Sequence, residues 1–173
     1  MDAIAVLTDA AQRPIDSAAQ VLDGIDQGTL HARPTEGASS IAWLVWHAAR
    51  QLDVQVSALS GRPQVWTSGH WSARLGVDRS DEDFGFGDGP EQVAALRIAE
   101  PAALLDYLKA AIASLIEHLE TIDEGALDDV VDTRWDPPVT RGVRLVSVID
   151  DAVSHVGQAQ YARGLVDGWS IGY

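Results

Sequence analysis

No cysteine occurs anywhere in the 173 residues, which excludes disulfide frameworks, thiolate metal sites and cysteine nucleophiles. Any sulfur chemistry has to arrive with a ligand. Positive charge is also scarce: twelve Lys and Arg stand against twenty-six Asp and Glu, a formal net charge of −14. The acidic residues are spread along the chain rather than gathered in a tail. Such a field repels phosphate backbones and anionic membranes, so nucleic acid and membrane are rejected as partners. No apolar run approaches the roughly 20 residues needed to span a bilayer. The opening Met1-Asp2-Ala3-Ile4 lacks the basic-then-apolar pattern of a secretory signal. The expectation is a soluble, cytoplasmic protein.

What the chain does have is apolar periodicity. Hydrophobic residues make up 46% of it, enough to build one continuous core, and no shift in composition divides it. Residues 1–173 read as a single domain. Four stretches carry a helical period. The first runs from about Asp2 to Leu22, with Pro14 expected to interrupt or kink it and Gly24 and Gly28 to stop it. The second follows an N-cap at Ser39 or Ser40 and places Ile41, Leu44, Val45, Ala48, Leu52, Val56 and Leu59 on one face. The third starts at Glu100-Pro101 and continues towards Ile122. The fourth runs from near Val143 to Gly168. Between them lie two long connections. Residues 61–89 show no sustained period and read as a functional or interface loop. Residues 128–142, with Trp135-Asp136-Pro137-Pro138, leave room for a short extended piece. The fold class is all-α, a four-helix bundle with two long crossing loops.

Chemistry gathers at three positions. Asp151 and His155 are spaced i and i+4, so they project from one face of the fourth helix at the edge of its apolar stripe. His47 holds the matching border position on the second helix. Two imidazoles and a carboxylate suit a divalent ion, zinc first and nickel as the alternative, and three protein ligands leave a coordination position open. Spacing alone favours an ordinary solvated Asp–His pair and a core histidine over a metal site, and Asp150 replaces Asp151 if the helix is rotated. His31, His70 and His118 lack this placement. His118, beside Glu117 and Glu120, reads as a surface residue. Gln158, near His155, reads as a partner that holds a ligand or metal-bound water, or as a polar rim residue. Arg163 is a candidate substrate or cofactor contact, with a surface salt bridge as its plain alternative. Trp43 and Trp46 flank His47, and Trp43 reads as packing.

The stretch Ser40-Ile41-Ala42-Trp43-Leu44-Val45-Trp46-His47 and the later Asp151-Ala152-Val153-Ser154-His155-Val156-Gly157-Gln158 resemble the DinB/YfiT-like superfamily. Its terminal helix typically reads His-x-x-x-His-x-Gly-Gln. Here His155, Gly157 and Gln158 match in register, while the first ligand position carries Asp151. The mycothiol-dependent maleylpyruvate isomerase branch has a glutamate there. Trp66, Trp71, Phe84-Gly85-Phe86-Gly87 and the Pro101-to-Leu108 helix start look like an actinobacterial subgroup. Eleven arginines against the single Lys109, with abundant alanine, fit a GC-rich genome of that kind.

The resemblance implies a metal site built from His47, Asp151 and His155. It also implies a metal-dependent S-transferase that takes a low-molecular-weight thiol, mycothiol, as co-substrate and transfers it to an electrophile. The alternatives are a mycothiol-dependent isomerase, a metal-dependent hydrolase, or a non-catalytic, stress-related metal-binding module. Expected partners are a small-molecule thiol, an electrophile and a second copy of the chain in a homodimer.

Overall fold

The protein is described from a computed structural model covering residues 1–172. Its elements, in order, are α1 (Ala3–Leu22), α2 (Gln27–His31), α3 (Ile41–Ser60), α4 (Val65–Ser68), α5 (Trp71–Leu75), α6 (Pro90–Ala95), α7 (Pro101–Leu119), a 3-10 turn (Glu124–Asp128), β1 (Val130–Asp132), β2 (Val139–Thr140) and α8 (Arg141–Asp167). Three of the four long helices begin where the sequence offers a side-chain partner for their free N–H groups. Asp2 accepts from Ala5 N at 2.7 Å, Ser40 from Trp43 N at 3.2 Å and Thr140 from Val143 N at 3.4 Å. Pro101 opens α7, where its missing N–H costs nothing. Glycines close α3 and α8, at Gly61 and Gly168.

The long helices form the bundle: α1 and α3 each pack against both α7 and α8, and so stand diagonally opposite one another. The core between them includes Trp46, Leu52, Leu104, Leu108, Ile112, Leu115, Leu145 and Val148, all buried. Each such side chain contributes about 1.5–3 kcal/mol of transfer free energy. Polar residues bridge α3 and α8 along their shared seam. His47 faces Asp151, Gln51 donates to the Val148 carbonyl at 3.0 Å, and Gln55 accepts from Arg144 at 2.7 Å. As positions rise along α3 they fall along α8, so the two helices run antiparallel.

Three expectations need correction. First, α1 runs on through Pro14, whose ring is buried, so the proline does not interrupt the helix. Second, the 61–89 segment is not irregular throughout, because α4 and α5 form within it. The reason lies far off in sequence. The Asp53 carboxylate on α3 accepts from Val65 N and Trp66 N, both at 2.8 Å, and so caps α4 from outside the segment. Third, His118 is not a surface residue. It is buried near the end of α7, and burial, then the charges of Arg141 and Arg62, lower its pKa. The short extended piece after Asp128 is present as the antiparallel β1–β2 pair. Among the described residues, no helix is long and apolar enough to cross a membrane.

Candidate metal centre

α3 and α8 bring His47, Asp151 and His155 together, with one donor atom from each lying within 4.8 Å of the others. His47 Nε2 is 3.9 Å from Asp151 Oδ2, and His155 Nε2 is 3.5 Å from Asp151 Oδ1. Donors bound at about 2.1 Å to one tetrahedral ion stand about 3.4 Å apart, so the spacing suits such an ion with little movement. Asp150, by contrast, is exposed to solvent, which fixes the face of α8 that carries the donors.

The orientation of each ring is set by what its other nitrogen does. His47 Nδ1 hydrogen-bonds the Phe84 carbonyl. A carbonyl only accepts, so Nδ1 carries the proton and the Nε2 lone pair faces Asp151. His155 Nδ1 pairs with Gln158 Oε1 at 3.0 Å, which leaves its Nε2 towards the same carboxylate. Asp151 Oδ2 is buried and has no hydrogen-bond partner. A buried carboxylate oxygen without a partner is costly, and a cation between the three donors would satisfy it. On this observation the residues fit a divalent ion.

Electrostatics divides the two histidines. Burial pushes the His47 pKa below its usual 6.5, against the opposing pull of the Phe84 carbonyl. The Asp151 carboxylate holds the His155 pKa above 6.5, against the cost of burial. Before any ion binds, His47 is therefore a ready neutral donor and His155 is the one that must release a proton.

The ring of His47 is clamped from two sides. Trp43 stacks on it at 4.7 Å with 6° between planes, and the Phe84 ring lies 6.2 Å away. Trp43 is itself fixed by its Nε1–H donating to Asp88 at 2.8 Å. Between them passes Gly85, at φ +84°, where a Cβ would come within 3.0 Å of both Trp43 and Trp46 and 3.2 Å of His47 Nδ1. Only glycine lets this loop lie so close to the ring.

Arg50, fully buried one turn beyond His47, anchors the loop from below. It donates to the carbonyls of Asp81 at 2.6 Å and Asp83 at 3.1 Å and to Tyr107 Oη at 3.2 Å. Asp53 completes the cluster, accepting from Tyr107 at 2.8 Å and from the two N–H groups of α4. Burial, then the Asp53 charge, raises the Tyr107 pKa, so Tyr107 stays a neutral donor.

Arg50, Asp53, Tyr107 and Asp88 were not singled out from the sequence, and Phe84 and Gly85 were named only as part of a loop, without their contact to His47. Arg50 and Asp53 did carry one signal: two charges within an otherwise apolar helical face. Gln158, named there, lies against His155. Arg163 is placed elsewhere. It is buried two turns beyond His155 and donates to the Val21 and Asp23 carbonyls at 2.8 Å each, closing the end of α1, with Asp167 at 3.3 Å.

The fold and the donor trio define a four-helix bundle with a candidate His/Asp/His metal site. The chain belongs to the DinB superfamily, whose model matches residues 10–159. It is also similar to the crystal structure of a conserved protein from Enterococcus faecalis, with 40% identity and a TM-score of 0.91, covering 98% of this chain and 99% of that one. A comparison with curated proteins gives no match.

Proposed function

We propose that the protein is a metal-dependent S-transferase that uses a low-molecular-weight thiol, mycothiol, as its co-substrate. The observation that carries this reading is the donor trio itself, with two lone pairs and an unpartnered carboxylate oxygen converging between α3 and α8. When bound there, a divalent ion, zinc first, supplies the charge that keeps a thiol in its reactive thiolate form near neutral pH.

The chain's own residues do the rest. Phe84 and Gln158 fix the two imidazoles in the tautomer that leaves Nε2 free. Trp43 and Gly85 close the His47 side against solvent. The Asp151 and His155 side chains are 37% and 20% exposed, so the trio is approached from the α8 side. A chain without cysteine presents no internal thiol to compete with the co-substrate. Thiol-using members of the superfamily make this the first reading, although fold alone does not fix activity.

The test is thiol conjugation to a bimane or aryl halide, followed by zinc-loaded protein with mycothiol, bacillithiol and glutathione in parallel. Acceleration with at least one thiol, lost in His47→Ala and on chelation, is expected. No acceleration with any of them sinks the transferase reading. Hydrolysis of the electrophile without thiol would then point to a hydrolase, and a metal that only raises the melting temperature to a structural module.

A further inference from the structure

A groove of about 1030 Å³ opens between α3, the start of α8, the β1–β2 hairpin and the loop that holds His47; none of the three donors lines it. Phe84 belongs to both, since its carbonyl fixes His47 and its ring lines the groove. Two features set the groove apart from the remaining surface. The first is charge. Arg134, Arg141 and Arg144 line it; Asp129 pairs with Arg141 and Asp132 with the other two, which leaves three positive charges against two in a chain whose net charge is −14. A local excess of positive charge in so acidic a protein favours an anion there over the rest of the surface.

Arg141 is spent on the Ala126 and Leu59 carbonyls. Arg144 is engaged as well, donating to Gln55 at 2.7 Å and to Asp132 at 2.9 Å, whereas Arg134 keeps one nitrogen free. Asp132, whose pKa is held well below the usual carboxylate range by its hydrogen bonds to Arg134, fixes both. Arg134 uses Nε and Nη2 for this, and Nη1 has no partner among the described residues. The second feature is aromatic surface. Phe86 is 86% and Trp135 63% exposed, and Phe84 and Phe86 sit 5.9 Å apart. Exposed aromatic rings beside fixed guanidinium groups form a site for a flat apolar body with an anionic end.

We propose that this groove selects the electrophilic co-substrate, a conjugated or aromatic compound bearing a carboxylate. Its flat body packs against Phe86 and Trp135, and its carboxylate meets Arg134 Nη1, with Arg144 holding the shared Asp132 in place. Asp151 and Arg144 are seven residues apart on α8, about 10 Å along the helix axis. That axial offset is on the order of the length of a two-ring compound, which is why two-ring carboxylates serve as probes. This assignment rests on the transferase reading for the word electrophile, but the binding itself does not.

The experiment is calorimetric titration of 2-naphthoate and biphenyl-4-carboxylate, and of the matching neutral carboxamides, into the zinc-loaded and the metal-free protein. The carboxylates are expected to bind about tenfold more tightly than the amides, as a charge-assisted hydrogen bond predicts. Added salt should narrow that ratio. Arg134→Gln, at a side chain 84% exposed, and Arg144→Gln should each reduce the preference, and Trp135→Ala should weaken acid and amide alike. Zinc content should be unchanged in all three variants. Equal binding of acid and amide, no binding of either, or a preference that survives both arginine substitutions overturns the proposal. Since Arg144 also bonds Gln55, the exposed Arg134 variant decides if Arg144→Gln fails to fold. Carboxylate preference without thiol transfer defeats the transferase reading alone. Thiol transfer without carboxylate preference defeats this one alone.

Discussion

Two polar clusters share α3 within two turns, and they are built in opposite ways. Around Arg50 and Asp53 the strong donors and acceptors are matched: the carboxylate takes two N–H groups and a phenol, and the guanidinium takes two carbonyls and Tyr107. Around His47 the matching stops short, with lone pairs aimed inward and Asp151 Oδ2 left without a partner. A cluster that satisfies itself holds the fold and has nothing to offer a ligand. A cluster with spare acceptors converging on one point has the donors to hold an ion.

The largest effect that would break this contrast is on the satisfied side. Asp53→Ala strands a buried guanidinium, a phenol and the two capping N–H groups, and should cost about 3–5 kcal/mol in denaturant unfolding. The folded fraction should still bind one metal ion. If the cost is under 1 kcal/mol, the cluster is not what holds the loop.

On the unsatisfied side, His47→Ala should reduce metal content by more than the roughly 100-fold that loss of an outer partner costs. Helical content should remain close to that of the parent. Elemental analysis beside circular dichroism reads both, and full metal occupancy in the variant removes the site.

Asp151→Asn should weaken metal affinity, whereas Asp150→Asn, at an exposed carboxylate, should leave it intact. A competition titration with a chromophoric chelator ranks the two, and the opposite order would place the wrong face of α8 at the site. Gln158→Ala should cost less, about tenfold, because it removes only the partner of His155 Nδ1.

The smallest effect is in titration of the metal-free protein by NMR. His155 should titrate above 6.5 and His47 below it. Asp151→Asn should bring the His155 midpoint down, since the carboxylate is what favours its charged form. A raised midpoint means that His155 takes up its proton first as pH falls, so metal affinity should drop with acid from that point. If the two midpoints coincide, the electrostatic difference between the rings is absent.

The long helices were legible because each repeats an apolar residue every three to four positions for about five turns, and burial against several neighbours enforces that pattern. The donor trio was legible in part: Asp151 and His155 are local, i and i+4, and His47 shows the matching helical border position, but that the two helices bring them together was supplied by the superfamily resemblance. What could not be read depends on contacts between distant segments. α4 exists because Asp53 caps it across twelve residues, and the loop over His47 is held by Arg50 across more than thirty. Neither leaves a period in the chain. His118 was misread for the same reason: its neighbours Glu117 and Glu120 are exposed, but the histidine itself turns inward.

The separation of the donors along the chain has a consequence of its own. His47 and Asp151 are 104 positions apart (151 − 47), on helices that meet only in the folded bundle. An ion held by both is a removable cross-link closing a loop of that length, and the unfolded chain has no comparable site. Its binding free energy is therefore added to the folded state alone, growing with the logarithm of free metal concentration. If the trio holds such an ion, starving the protein of metal is expected to lower its melting temperature as well as empty its site.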